Sequence, residues 1–252
     1  MQCNEVIKWF ITINKQVNPK IRLFCFPYAG GGASIYREWN KSMPNDIEIC
    51  AIQYPGRENR ISEKLIDNFE LLVANICEAI QYKGDLPFAL FGHSLGAKVA
   101  YEVAKRLEFT NISKPFMLFV SGARAPHFPV LNPIHHLDNR EFTKALTRYQ
   151  GTPATILNNK EIMQVFLPII RADFVLDETF CSDVDSKIAI PIIIFAGNKD
   201  KIALTKDVQL WKKYTTENSE FLEIPGEHFF LKTSKDILLD VIKQRLLMTM
   251  EK

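Results

Sequence analysis

Short apolar runs alternate along the chain with segments in which apolar residues recur every three or four positions. Continuously apolar runs are typical of parallel strands buried on both faces, and the helical spacing predicts helices that cover the sheet. We therefore expect an α/β fold, with a mostly parallel central sheet and helices on both faces. The predicted strands cover residues 21–28, 47–54, 88–91, 116–120, 189–196 and 220–224. The predicted helices cover about residues 34–43, 67–82, 205–211 and 234–248, and one more follows Ser94.

The alternation stops between about residues 125 and 188, where no strand-like run occurs. Two helical segments, at about 138–149 and about 160–176, are separated by Gly151-Thr152-Pro153. A chain of 252 residues fits one domain better than two. We therefore expect a single α/β domain over residues 1–252, with a helical lid insertion at about 125–188.

The second insertion helix is more apolar than one packing face requires. Two interpretations stay open: part of the helix contacts an apolar substrate, or the helix is buried on two sides. The residues concerned are Phe166, Leu167, Ile169, Ile170, Phe174 and Val175.

The pattern Gly-x-Ser-x-Gly at residues 92–96 directly follows an apolar run and precedes a helical segment. This context is typical of the nucleophile elbow of α/β-hydrolases, in which a strained strand-to-helix turn projects the serine above the sheet. Glycine is required at both flanking positions because a β-carbon there would collide with neighbouring backbone. Ser94 is therefore the candidate nucleophile.

A serine hydroxyl needs an adjacent base, which is itself oriented by an acid. In this fold the chain order is Ser, then Asp or Glu, then His, and His228 lies in the loop after the last predicted strand. Asp200 follows the strand at 189–196, whereas no carboxylate follows the strand at 116–120. We therefore assign His228 as the base and Asp200 as the acid. Four other aspartates belong to the insertion and are interpreted as solvated or ion-paired: Asp173, Asp177, Asp183 and Asp185.

A glycine-rich segment at residues 29–34 follows the first predicted strand. It lacks the Gly and Lys spacing of a phosphate-binding loop. Upstream of a nucleophile elbow it is interpreted as an oxyanion loop, whose backbone N–H would act together with that of Leu95. A purely structural turn is the alternative. The polar segment 57–60 is interpreted as a solvated connection.

Composition narrows the function classes. A net charge of +2 gives no strong electrostatic field that would attract nucleic acid or anionic membranes. No apolar run is long enough to span a bilayer. The five cysteines lack metal-ligand or disulfide spacing, and Cys25 and Cys50 are expected to be buried. The N-terminal residues do not form a secretory signal. We expect a cytoplasmic monomeric enzyme with no metal and no cofactor.

Four segments together resemble one family, the stand-alone type II thioesterases of nonribosomal peptide and polyketide synthesis. They are residues 23–34, 54–60 with Pro55-Gly56-Arg57-Glu58, 92–97, and 226–230. The insertion segments 148–153 and Arg171-Ala172-Asp173-Phe174 also match the style of the family. The resemblance covers about residues 9–245.

The resemblance implies hydrolysis of acyl groups from the phosphopantetheine thiol of acyl- or peptidyl-carrier proteins, which would clear stalled or misprimed synthases. It supports Ser94, Asp200 and His228 as a triad, and Ala29 and Leu95 as oxyanion N–H donors. Tyr28 departs from the family, in which many members carry histidine. Candidates for carrier-protein docking are Arg57, Arg60 and Lys98.

The sequence leaves three alternative functions open. A medium-chain fatty acyl-carrier thioesterase and a general carboxylesterase or lipase would use the same triad and lid. A non-catalytic binding protein with a hydrolase fold is the third, and the intact triad argues against it.

Overall fold

A computed structural model describes residues 6–250, except for residues 84, 111, 112, 150, 152, 153 and 158. Within these residues, strands form a sheet of seven in the order β1-β3-β2-β4-β5-β6-β7. Neighbouring strands run parallel except at one edge, where β1 pairs with β3 in the antiparallel sense. The strands are β1 (Phe10–Thr12), β2 (Ile21–Phe26), β3 (Ile47–Ile52), β4 (Phe88–His93), β5 (Met117–Ser121), β6 (Ile192–Gly197) and β7 (Ser219–Ile224).

Helices connect the strands and cover both faces of the sheet. The α-helices are α1 (Phe69–Tyr82), α2 (Leu95–Thr110), α3 (Asn139–Leu146), α4 (Ala154–Leu157), α5 (Lys160–Thr179), α6 (Thr205–Val208), α7 (Phe230–Thr233) and α8 (Lys235–Met250). Short 3₁₀ helices cover Ala33–Lys41, Glu58–Arg60, Thr147–Tyr149 and Gln209–Tyr214. Within the described residues, no helix combines the length and the apolar character needed to cross a membrane.

The side chains of each central strand alternate between two cores. Along β4, Phe88 and Leu90 belong to the cluster that includes residues of α1 and α2. Ala89 and Phe91 belong to the cluster on the opposite face, which includes residues of the first 3₁₀ helix and of α8. Because both faces are covered, all six residues of β4 are buried. This explains why the strand is apolar from Phe88 to Phe91.

The predicted strands agree with the structure to within a few residues. The edge strand β1 was not predicted because it has only three residues, two of them partly exposed, and so carries no apolar run. Cys25 and Cys50 are fully buried, as predicted. Burial raises the pKa of the Cys50 thiol to about 11.

Helices α3, α4 and α5 lie between β5 and β6, where the sequence predicted the insertion. Residues 152 and 153 of the predicted connection lie outside the described residues. Helix α5 is mostly buried from Ile169 to Leu176, whereas before Ile169 only Met163 and Leu167 are buried. One side packs against α3 in a cluster that includes Phe142, Leu167 and Phe174. Phe166, by contrast, is exposed.

The turn between β4 and α2 has no room for side chains at its glycines. An ideal β-carbon on Gly92 would lie 2.1 Å from the carbonyl oxygen of Gly96, and one on Gly96 would lie 2.2 Å from the carbonyl oxygen of Phe26. Ser94 between them has a φ of +55°, which is unusual for a residue with a side chain. The two predicted glycine requirements are confirmed.

This contact predicts that Gly96→Ala destabilises the fold by about 2–3 kcal/mol, because backbone must move to accept the methyl group. Ser94→Ala is the control in the same turn, since it removes an oxygen and adds no clash. Urea unfolding of both variants measures the difference. Equal unfolding midpoints would contradict the steric explanation.

Candidate active site

Ser94 lies at the junction of β4 and α2, where the strained turn holds its side chain beside the loop that follows β7. The backbone N–H of Ser94 donates to the carbonyl of Ser121 at 2.8 Å, which ties the turn to β5. The Oγ atom lies 3.2 Å from Nε2 of His228. This distance places the hydroxyl within reach of a general base.

His228 lies in the loop after β7 and is buried. Its Nδ1 atom is 2.8 Å from Oδ2 of Asp200. Because an ionised carboxylate only accepts hydrogen bonds, this contact assigns the ring proton to Nδ1 and leaves Nε2 free to accept the Ser94 hydroxyl. The structure thus brings together the three residues that the sequence assigned to a triad.

Asp200 is held by the turn that follows β6. Its other carboxylate oxygen, Oδ1, accepts the backbone N–H groups of Ile202 at 2.8 Å and Ala203 at 3.0 Å. Asp200 is therefore a turn carboxylate and a partner of His228 at the same time. The two turn bonds orient the oxygen that faces the imidazole.

Two backbone N–H groups are candidates for an oxyanion hole. Among the hydrogen bonds of the described residues, the N–H groups of Ala29 and Leu95 have no protein acceptor. Leu95 begins α2, where the first N–H groups of a helix have no partner within the helix. The next N–H in the glycine loop, that of Gly30, is instead bonded to Asp173. The arrangement matches the two donors proposed from the resemblance.

His93 is fully buried beneath the site, and its ring centroid lies 5.2 Å from that of His228. Nδ1 of His93 is 2.9 Å from the Ser121 hydroxyl. Burial, and then the neighbouring His228, hold the pKa of His93 well below its ordinary range. It is therefore neutral at pH 7. Three other histidines lie elsewhere: His127 contacts Tyr214, His135 contacts Glu178, and His136 is exposed.

Two cavities adjoin the candidate site. A small one of about 120 Å³ is lined by Ser94 and His228 together with Tyr149 and the ion pair of Lys98 with Asp177. A larger one of about 510 Å³ lies along the glycine loop and is lined by Val165 and Phe166 among others. Within the described residues, no group of His, Cys, Asp and Glu could hold a metal ion.

The interpretation of residues 57–60 as a solvated connection is wrong for both arginines. Arg57 is 4% exposed and Arg60 is 5% exposed, so neither presents its charge to a partner. Lys98, at 8% exposed, is also buried. Arg57 pairs instead with Asp173, which is fully buried. Sequence reasoning missed this pair, although both residues lie in segments that carried the family resemblance.

Comparison with known proteins identifies the family. The thioesterase domain family matches residues 21–246. The chain belongs to this family. This thioesterase is 37% identical to the gramicidin S biosynthesis protein GrsT of Aneurinibacillus migulanus, over 96% of this chain and 95% of the relative.

Solved structures agree with this assignment. The type II thioesterase BorB of the borrelidin biosynthetic cluster superposes with a TM-score of 0.85 at 29% identity, covering 95% of this chain and 98% of BorB. RedJ, a thioesterase of prodiginine biosynthesis in Streptomyces coelicolor, gives a TM-score of 0.83 at 33% identity, with 90% of each chain covered. The α/β-hydrolase fold and the resemblance to type II thioesterases are thereby confirmed, and the protein is a thioester hydrolase.

The buried, neutral His93 predicts a pH dependence of stability. In the unfolded chain His93 binds a proton near its ordinary pKa of about 6.5, whereas in the folded protein it stays neutral. The unfolded state therefore binds more protons below that pH, and the free energy of unfolding falls by up to about 1.4 kcal/mol per pH unit as the pH drops. Urea unfolding between about pH 5 and 7.5 measures this slope.

His93→Gln should flatten the slope below about pH 6.5, because the substituted side chain does not titrate. His136→Gln is the matched control, since His136 is exposed, and it should keep the slope of the wild type. An unchanged slope in His93→Gln would show that another group carries the dependence.

Proposed function

We propose that this thioesterase hydrolyses acyl, aminoacyl or peptidyl thioesters on the phosphopantetheine arm of carrier proteins, and so clears a nonribosomal peptide or polyketide synthase. The observation that carries the proposal is the contact chain Ser94–His228–Asp200 in a protein that is close to type II thioesterases of such pathways. A thioester is the bond that joins an acyl group to the thiol of that arm, and attack by an activated serine cleaves it.

The reaction proceeds in two halves. The Ser94 hydroxyl attacks the thioester carbonyl while Nε2 of His228 takes its proton, and Asp200 stabilises the resulting imidazolium. The N–H groups of Ala29 and Leu95 bind the oxyanion of the tetrahedral intermediate. The carbon–sulfur bond then breaks, and His228 returns the proton to the departing thiol. Water, activated by His228, hydrolyses the acyl-serine and releases the carboxylic acid.

The proposal also includes the domain organisation, the localisation and the partners. The chain would act as one domain over residues 1–252, with the helical segment at about 125–188 as a lid over the candidate site. It would work as a cytoplasmic monomer whose partners are carrier-protein domains, with no role for nucleic acid or membrane. A net charge of +2 supports the last point.

Ser94→Ala should lower kcat by about 10⁴-fold or more, because the covalent intermediate can no longer form. The measurement is release of the acyl group from acyl-phosphopantetheinyl carrier protein. An unchanged unfolding midpoint shows that the variant is folded. Undiminished hydrolysis by the folded variant excludes Ser94 as the nucleophile.

Asp200→Asn should lower kcat by roughly 10⁴-fold, because an amide stabilises the wrong tautomer of His228. Asp183→Asn is the matched control: Asp183 is an exposed aspartate of the insertion, and its variant should keep wild-type activity. Near-normal activity in Asp200→Asn would assign the acid role to another residue.

The leaving group is tested by comparing three substrates that carry the same acyl chain: the acyl-carrier protein, the acyl-CoA and a simple ester. The proposal expects the highest kcat/KM for the carrier-bound thioester, because contacts with the carrier add binding energy that is realised in the transition state. Equal or better turnover of the simple ester would instead favour a general carboxylesterase.

A further inference from the structure

Two motifs of the sequence have no part in the mechanism above, Pro55-Gly56-Arg57-Glu58 and Arg171-Ala172-Asp173-Phe174. We propose that Arg57 and Asp173 are positioning residues, whose buried ion pair holds the glycine loop so that the N–H of Ala29 points at the oxyanion. The inference rests on the proposed function. It adds that the oxyanion hole is complete only when the insertion helix α5 is packed against the glycine loop.

The pair is bidentate and shielded from solvent. Nη1 of Arg57 lies 2.6 Å from Oδ2 of Asp173, and Nη2 lies 2.8 Å from Oδ1. Asp173 is fully buried and Arg57 is 4% exposed. Burial alone would lower the pKa of Arg57, but the Asp173 carboxylate raises it above its ordinary value. Arg57 therefore keeps its charge.

Each partner also bonds the backbone of the glycine loop. Oδ2 of Asp173 accepts the N–H of Gly30 at 2.7 Å, and Nη1 of Arg57 donates to the carbonyl of Gly31 at 3.0 Å. Gly30 and Gly31 directly follow Ala29. The pair therefore holds the Ala29–Gly30 and Gly31–Gly32 peptide groups, and the first of these adjoins the peptide group that carries the Ala29 N–H.

The far end of the loop is held by neighbours of Arg57. Gln53 accepts the N–H of Ala33 through Oε1 at 2.7 Å. Glu58 accepts the hydroxyl of Ser34 through Oε1 at 2.5 Å. Both ends of the loop are therefore bonded, while among the described residues no hydrogen bond is found for the N–H of Ala29 or of Gly32.

Stability alone is a weak reason for such a pair, because a buried ion pair often stabilises a fold no better than apolar residues of the same size. An oxyanion hole, in contrast, works through donors that are held in place before the charge develops. The pair links three segments that are distant in the sequence: the loop after β2, the loop after β3, and helix α5. Side-chain packing adds to the link. Cγ1 of Ile170 on α5 lies 3.1 Å from the point that an ideal β-carbon on Gly30 would occupy.

The test compares Asp173→Asn with the wild type. The amide keeps the size of the side chain but removes the charge that clamps Arg57, so kcat should fall about 100-fold while KM changes little, as expected for a small misplacement of a donor. Arg57→Lys keeps the buried charge but cannot make the bidentate contact with Asp173, so it should also lower kcat. It covers the case in which Asp173→Asn does not fold.

Two inhibitors distinguish a role in positioning the Ala29 N–H from a role in the stability of the fold alone. A trifluoromethyl ketone analogue of the acyl thioester forms a tetrahedral oxyanion with Ser94, and its affinity should fall in step with kcat/KM. A non-hydrolysable thioether analogue lacks the oxyanion, and its affinity should stay at the wild-type value. Both affinities are measured for each variant.

Glu48→Gln is the matched control, because it breaks another buried ion pair, Arg22 with Glu48 at 2.6 Å, on the strands β2 and β3. It should lower stability while leaving kcat and both affinities unchanged. The inference is overturned if Asp173→Asn and Arg57→Lys lose stability in the same way and keep ketone affinity. If Ser94→Ala keeps wild-type affinity for the ketone, the proposed function fails first, and the inference fails with it.

Discussion

The turn from β4 into α2 packs backbone directly against backbone. Gly92 lies against the carbonyl of Gly96, and Gly96 lies against the carbonyl of Phe26 at the end of β2. The contact of Gly96 with Phe26 therefore joins the turn that holds Ser94 to the strand from which the glycine loop departs. The candidate nucleophile and the candidate oxyanion donors share one close-packed unit, whose geometry cannot relax without separating two strands.

Sheet topology brings the remaining groups to this unit. Because β2, β4, β6 and β7 run parallel, the loops that follow them leave the sheet at one edge. Those loops carry Ala29, Ser94, Asp200 and His228 respectively. Crevices at the carboxyl ends of parallel strands are where α/β proteins commonly bind ligands. The order of strands, rather than any local motif, makes residues more than a hundred positions apart neighbours.

The insertion contributes to the site through charge as well as through apolar packing. Asp173 on α5 meets Arg57 from the loop after β3 and the N–H of Gly30 from the loop after β2. Burying two charges is costly unless they are well paired. Both carboxylate oxygens and both terminal guanidinium nitrogens have partners, whereas the buried Nε of Arg57 has none among the described residues. A helix that lines both cavities beside the site is thus tied to the loop that would stabilise the oxyanion.

The periodicity of apolar residues was enough to predict the central strands and the helical insertion. The order of motifs along the chain was enough to predict Ser94, Asp200 and His228 as the candidate triad. The three-residue strand β1 escaped prediction because pairing with β3, not its own composition, makes it a strand. The pairing of Arg57 with Asp173 was not predicted either, since the polar segment around Arg57 suggests a solvated loop and the sequence names no ion-pair partner for Asp173. Their partnership joins residues 116 positions apart, and only the packing of α5 against the glycine loop removes water from both.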